Sequence, residues 1–557
     1  MKKSKVLFLC MFILMLALPL SACGDNDNND NGGEQKNSKQ EQTKPGERDR
    51  KGRAKDELVV SMGESVPHEF DPRKRHGMYN EAHITHSTLL RKTPNLDIVG
   101  DFAKDYEISE DGLLWTFNLH DNFKFSNGEP VTAEDVKFSY EMLIEDGQHW
   151  DLDFIDKIII PEENKMEFHL KEPRSTFTAQ LSEVPIVPKD HYDDNYSKNP
   201  IGSGPYMVSE HNPNEQAIFE VNPHWHGEEP YFKKWTWVLL EENTALAALE
   251  SGDVDIIYSI PEFADKEVKG CKLFEFESND VRGLSMPYVK KGEVDSSPDG
   301  YPVGNDVTSD PAIRKALNIG MNRQKVVDTV LNGHGKPAYS IIDNIPEFNP
   351  ETAIEDNRVD EAKELLDKAG WIEGKNGVRE KDGLKASFKL YYPTQDQLRT
   401  NIAIEAAEQA KPLGIDIELV GSNWDEMATK AHESALLYAG GRLNPTMFYT
   451  SHNPEAAGRG WTNVTFYDNP KVTEYMEKAI TSIDPEEALK YWHLAQWDGE
   501  TGASTLGDLP NVWLVRWNHT YIGDERIDVG EQGIHSHGHD WALLHNIAKW
   551  KWSEKAK

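Results

Sequence analysis

Between Ser387 and Val420 the chain reads as a strand, a helix and a second strand, and that unit fixes its class. Ser387 to Tyr392 is the first strand, Asn401 to Lys411 a helix closed by Pro412-Leu413-Gly414, and Ile415 to Val420 the second strand. Such a unit demands a parallel pair with the helix crossing over the sheet. Elsewhere Leu58 to Met62 is a short apolar strand, and Leu114 to Leu119 alternates with the period of a half-buried one. Thr132-Ala133-Glu134-Asp135 has the form of a capping box, Asp310-Pro311 opens a helix with Ile313, Ala316, Leu317 and Met321 on one face, and Val359 to Ala369 is a helix with Gly370 placed just past its end. The prediction is an α/β fold with a strand-rich first half. At 557 residues and 38% hydrophobic the chain can bury several cores, so more than one lobe is expected.

Charge removes one class of function. With 60 Lys plus Arg against 95 Asp plus Glu, the formal charge is −35. That surface repels phosphate backbones, so no nucleic-acid partner is expected.

The N-terminus reads as an export signal. Met1-Lys2-Lys3-Ser4-Lys5 is followed by an apolar run from Val6 to about Leu18, too short to span a bilayer, and then by Leu20-Ser21-Ala22-Cys23. Residues 1–22 are expected to be a signal peptide cleaved before Cys23, which would carry the lipid and, as a palmitate-type anchor, hold the protein on the outer face of the cell membrane. Residues 23–57, with almost nothing apolar, are expected to be a flexible tether. Cys271 then has no cysteine left to pair with, so no disulfide framework is expected.

An exported hydrolase would show a nucleophile or metal constellation. Gly202-Ser203-Gly204 lacks the spacing of a nucleophile elbow, and His432-Glu433-Ser434-Ala435-Leu436 has Leu where a zinc helix needs its second His. No enzyme activity and no cofactor are expected. His535-Ser536-His537-Gly538-His539 does concentrate imidazoles suited to a borderline metal such as Ni²⁺, and an extended segment would put His535, His537 and His539 on one side. Spacing alone is weak evidence for a site, and the same residues read also as a solvated surface loop near the C-terminus.

Motifs spread over about 500 residues carry a family resemblance. Asp111 to Leu119 (DGLLWTFNL) followed by Phe123 to Val136 (FKFSNGEPVTAEDV), Pro200 to Tyr206 (PIGSGPY), Asn222 to Gly227 (NPHWHG), Ser251 to Asp255 (SGDVD), Ala312 to Leu317 and Glu361 to Trp371 resemble the family 5 extracellular solute-binding proteins, the peptide and nickel receptors of ABC importers. The resemblance implies a two-lobed periplasmic-binding-protein fold (cluster C) that closes by a hinge on its ligand and delivers it to a permease served by ATPase subunits, acting as a monomer. The expected first lobe is 58–284 plus 513–557 and the second 285–512, with hinge strands near Gly283 to Pro287 and Leu509 to Trp513.

The resemblance also points to a site. Peptide receptors of the family often carry an Asp, paired to the ligand's α-amino group, in the stretch that here reads Tyr438 to Phe448; it is missing, and Gly440, Gly441 and Arg442 stand there. An Arg offers a bidentate partner to a carboxylate. Arg442, Gly441, Trp424, Tyr449 and Trp461 are the candidate ligand-binding residues. The ligand implied is a short peptide, or alternatively nickel or another metal held as a small chelate, with a first-lobe arginine from among Arg73, Arg75 and Arg91. His68, His76, His83 and His86 fall in the segment that borders the cleft in this family; His83 and His86 share a helix face, where packing and ligation are both open.

Overall fold

The computed structural model describes residues 50–63, 70–71, 82–146, 150–538 and 542–553. The leader, Cys23 and most of the expected tether lie outside these, as do His68, His76, Arg73, Arg75 and His539. Residues 50–57 are described, and they are tied down: Arg50 Nε and Arg53 Nη2 donate to the buried Asp255 carboxylate at 2.9 and 2.7 Å. Asp255, the last residue of the SGDVD motif, also accepts the Val59 N–H at 2.9 Å, which sets the first strand beside its neighbour.

That first strand, Glu57–Ser61, is central in a seven-stranded mixed sheet. It runs parallel to Lys234–Val238 on one side and Ile256–Ser259 on the other. Gln216–Val221 and Tyr206–Asn212 extend the first flank, and His519–Asp524 and Cys271–Phe276 the second. Leu58, Val60, Trp235 and Trp237 are fully buried, because both faces of this sheet are covered.

A separate antiparallel sheet holds Ala103–Ile108, Leu114–Leu119, Lys165–Leu170 and Ile155–Glu162. Trp115, Phe117 and Leu119 alternate into its core against helix Ala133–Asp146. The expected capping box is present: Thr132 N–H donates to Asp135 Oδ2 at 2.9 Å, and Asp135 N–H returns to Thr132 Oγ1 at 3.4 Å. The glycine-rich turn does what its composition implies, since a Cβ on Gly202 would lie 1.8 Å from the Thr85 carbonyl oxygen.

The second half is built on a six-stranded sheet in the order Gly335–Pro337, Asn511–Trp517, Val281–Ser285, Ala435–Gly440, Ser387–Pro393, Asp416–Ser422. The last two strands are parallel and are joined by helix Gln397–Ala410, which is the crossover unit read from the sequence. The helix begins four residues before the expected Asn401, because Asp396 caps the Arg399 N–H at 2.9 Å. Asp310 caps helix Pro311–Gly320 in the same way, and Gly370 follows helix Val359–Lys368 at φ +86°.

Two connections join the sheets. Cys271–Phe276 lies in the seven-stranded sheet and Val281–Ser285 in the six-stranded one, with residues 277–280 between them. Asn511–Trp517 and His519–Asp524 divide likewise, with Asn518 alone between. The change of sheet therefore falls at 277–280 and at 518, whereas the boundaries expected at 284/285 and 512/513 fall inside strands. A single buried cluster runs through both sheets and includes Val60, Trp235, Leu284, Leu317, Leu514, Trp517 and Tyr521. No described helix is long and apolar enough to cross a membrane.

Candidate functional site: the seam between the two sheets

Strand Ala435–Gly440 ends where the two sheets exchange chain. Gly441 follows at φ +149°, and a Cβ there would sit 1.4 Å from the Asn279 carbonyl oxygen. Its own carbonyl accepts the His537 N–H at 2.7 Å, and the Asn279 side-chain amide donates to the Arg442 carbonyl at 2.8 Å. The glycine is thus required by a close backbone approach, and Arg442 is presented from a stretch sewn to the 277–280 connection.

Next to it is a buried ionic cluster. Asp280 is fully buried and accepts from Arg282, from His519 Nε2 at 3.1 Å and from His537 Nδ1 at 2.7 Å. Burial opposes its charge, yet the Arg282 guanidinium and the two imidazoles hold the carboxyl well below the usual carboxylate range. His535 is also buried, with its Nδ1 3.2 Å from His519 Nδ1 and its ring stacked 5.0 Å from Phe276. Burial, then the neighbouring His519, pushes His535 well below its ordinary value, so its imidazole is neutral. His535 and His537 therefore belong to one cluster, each engaged by protein groups. Among the described residues no group of three or more His, Cys, Asp or Glu is placed to hold a metal ion.

The aromatic candidates form a pair. Trp424 and Trp461 meet edge to face, ring centres 5.6 Å apart, and they are 41% and 38% exposed, which leaves an open aromatic wall. The buried Arg399 guanidinium lies 4.7 Å from the Trp424 ring centre. Burial and then the nearby Arg282 pull Arg399 down to about 10. The Tyr438 hydroxyl donates to the Trp461 carbonyl at 2.7 Å. Tyr449 belongs to a different group: its hydroxyl donates to Glu477 at 2.7 Å and Arg174 lies 6.0 Å from its ring centre.

Contacts then cross the seam away from the connections. Glu183 Oε1 accepts from Lys92 at 3.3 Å and from Asn444 at 3.1 Å. Ser175, which follows the four-stranded sheet, donates from N to the Ile480 carbonyl at 2.7 Å and from Oγ to the Ala479 carbonyl at 2.9 Å. Of the early histidines, His86 is buried with Nε2 2.6 Å from the Tyr196 hydroxyl, a packing role, and burial lowers it to about 4. His83 and Arg91 line a cavity of about 1440 Å³ together with His120, His226 and Lys549.

Sequence reasoning did not find Asp280, Arg282, Arg399, Glu183 or Asn444. The one available signal was an arginine inside an otherwise apolar strand at 282.

The profile of the bacterial extracellular solute-binding proteins, family 5, matches residues 97–475. The chain belongs to that family. Family 5 proteins are the substrate-binding components of ABC importers. Protein XP55 of Streptomyces lividans is 30% identical over 491 residues, 85% of this chain and 86% of that one. The oligopeptide-binding protein AppA of Bacillus subtilis is 24% identical over 580 residues, 99% of each chain. Among solved folds, NikZ of Campylobacter jejuni, in complex with Ni(L-His), superposes with a TM-score of 0.77 at 21% identity, over 90% of this chain and all of that one. The α/β architecture with two lobes is thus the family 5 fold.

Proposed function

We propose that this protein captures a short peptide by closing two lobes on it and delivers it to a membrane permease, without performing chemistry. The observation that carries the reading is the seam itself. Glu183–Asn444 and Ser175–Ile480 join elements on opposite sides of it, around cavities that both sides line. In this reading such contacts are made on closure, so ligand and closure share one free energy. The lobes exchange chain at 277–280 and 518, and the hinge runs there. A peptide is favoured over a chelate because His535 and His537 are engaged with His519 and Asp280. The near-complete match to an oligopeptide-binding protein points the same way.

A metal chelate is the second reading, and it rests on His537, about a third exposed (32%) beside Gly441 and Arg442. Calorimetric titration of the metal-stripped protein with two- to six-residue peptides, and in parallel with Ni²⁺ plus histidine, separates the two. Saturable peptide binding without a metal response is expected; Ni²⁺–histidine binding lost in Arg442→Ala would replace the peptide reading. The anchor at Cys23 is tested by fractionation, where Cys23→Ser should move the protein from membrane to soluble fraction.

A further inference from the structure

The chain enters the folded body through a basic stretch, Arg50-Lys51-Gly52-Arg53-Ala54-Lys55, in a protein whose formal charge is −35. A run of cations like this ordinarily stays solvated. Here it is engaged. The Arg50 guanidinium straddles the Asp255 carboxylate, Nε to one oxygen at 2.9 Å and Nη2 to the other at 3.2 Å, and Arg53 Nη2 adds a third bond at 2.7 Å. Lys51 Nζ reaches Asp253 at 2.6 Å, and Arg53 Nη1 donates to the Asp253 carbonyl at 2.7 Å. Asp255 is fully buried, and burial opposes its charge, yet Arg50 and Arg53 hold the carboxyl below its ordinary value.

The other end of the described chain closes on the same place. Trp552 carries two guanidinium groups over its ring, Arg50 at 4.7 Å and Arg526 at 5.2 Å from the centre. Its indole N–H donates to the Lys55 carbonyl at 2.7 Å, across 497 residues of sequence. Lys551–Trp552 pairs with Ile527–Asp528, and the Ser553 N–H donates to the Arg526 carbonyl at 2.7 Å. Arg526 forks onto both oxygens of the buried Asp524, at 2.9 and 2.6 Å, and the Asp524 N–H donates to the Asp255 carbonyl at 2.8 Å. Because Ile256 pairs with Gly523 and Ser259 with Thr520, Asp255 and Asp524 stand at the end of the seven-stranded sheet away from Asn518.

We propose that residues 50–55 and 551–553 form an intramolecular clasp that fastens the incoming chain to the seven-stranded sheet, at the end remote from the crossing at Asn518. Each terminus holds the other. Without the strap, Asp255 is left buried with the Val59 N–H as its remaining partner among the described residues, and Trp552 loses both its hydrogen bond and the Arg50 guanidinium. Where the chain ahead of residue 50 is tethered, as the Cys23 reading has it, the load falls on that sheet and does not cross the seam. The clasp also shields the bonds after Arg53 and Lys55 from a trypsin-like protease, which needs a locally unfastened backbone. It works the same whichever ligand the seam takes.

Limited trypsin digestion of the full chain, read by mass spectrometry, tests the clasp together with hydrogen exchange. In the unsubstituted protein the bonds after Arg53 and Lys55 should survive into the stable core. Arg50→Ala/Arg53→Ala should open the bond after Lys55 and speed amide exchange at 551–553 by at least about tenfold, with exchange across Ser387–Ser422 unchanged. Trp552→Phe keeps a ring for Arg50 and removes the bond to the Lys55 carbonyl, and it should speed cleavage after Lys55 with the core otherwise intact. An unsubstituted core that begins at Asp56, or exchange and cleavage that ignore both variants, overturns the clasp. If the double variant does not fold, Trp552→Phe decides by itself.

Discussion

Asn444 donates its side-chain amide to Glu183 Oε1 at 3.1 Å, although 261 residues separate them. Glu183 is 6% exposed and Asn444 also 6%, so the bond is made out of water, where a partner for a carboxylate matters most. Under the hinge-closure reading it is made on closure and broken on opening, so removing it should act on ligand affinity without any contact to ligand. Asn444→Ala is expected to cost about 1.5–3 kcal/mol of closure, a loss of roughly ten- to a hundredfold in affinity. An unchanged Kd by calorimetry would show that closure does not use this bond.

Gly441 and Gly440 are adjacent and should respond differently to alanine. At Gly441 the added Cβ meets the Asn279 backbone at 1.4 Å, and the φ of +149° is itself unfavourable for a side chain. At Gly440 it meets only side chains, with Met447 Cε nearest at 2.2 Å, and that thioether can move. Gly441→Ala should destabilise by about 2–4 kcal/mol, and Gly440→Ala by roughly half of that or less. Urea midpoints for the two variants decide it, and equal shifts would contradict the close approach.

Asp280 is the hub of the ionic cluster at the connection. Asp280→Ala leaves the Arg282 guanidinium buried without its carboxylate, a loss of about 3–5 kcal/mol. Replacing both partners, in Asp280→Leu/Arg282→Met, should recover part of the loss, because no charge is then stranded. A double variant no more stable than the single one would remove Arg282 as the reason for the cost.

His452 gives a pH dependence whose sign is fixed by burial. It is 2% exposed, Nδ1 donates to the Phe448 carbonyl at 2.8 Å, and burial lowers its pKa to about 4. The unfolded chain takes up that proton near 6.5, so between about 6.5 and 4 the unfolded state binds more protons. The stabilisation is complete above 6.5 and is lost as pH falls towards 4, up to about 3 kcal/mol. His452→Leu should therefore lose less stability than the unsubstituted protein between pH 7 and 4.5, measured as the change in Tm. Parallel pH profiles would mean that the ring titrates normally.

What the sequence disclosed was local. The Thr132–Asp135 box, the Asp310 cap, the Gly202 approach and the crossover from Ser387 to Ser422 depend on neighbours a few residues apart or on a short period, and each is in place. The position of the connections was not legible, for a physical reason. Val281–Ser285 and Asn511–Trp517 are buried at every residue, so no alternation marks where one sheet hands over to the next. The ionic cluster was hidden similarly, since Asp280 meets His519 and His537 across 239 and 257 residues. Trp424 and Trp461 could be named as candidates from the sequence, but their pairing, with Arg399 against Trp424, needed the fold.

Asn518 is a single residue between two sheets, and Trp517 just before it and Tyr521 three residues after it belong to one buried cluster with Val60 and Leu317. Under the hinge-closure reading, so short a link permits rotation between the halves but little sliding. Neither half can lose its packing without exposing part of the other's. With that core shared, the two halves should melt as one, with a single endotherm in scanning calorimetry rather than one for each lobe.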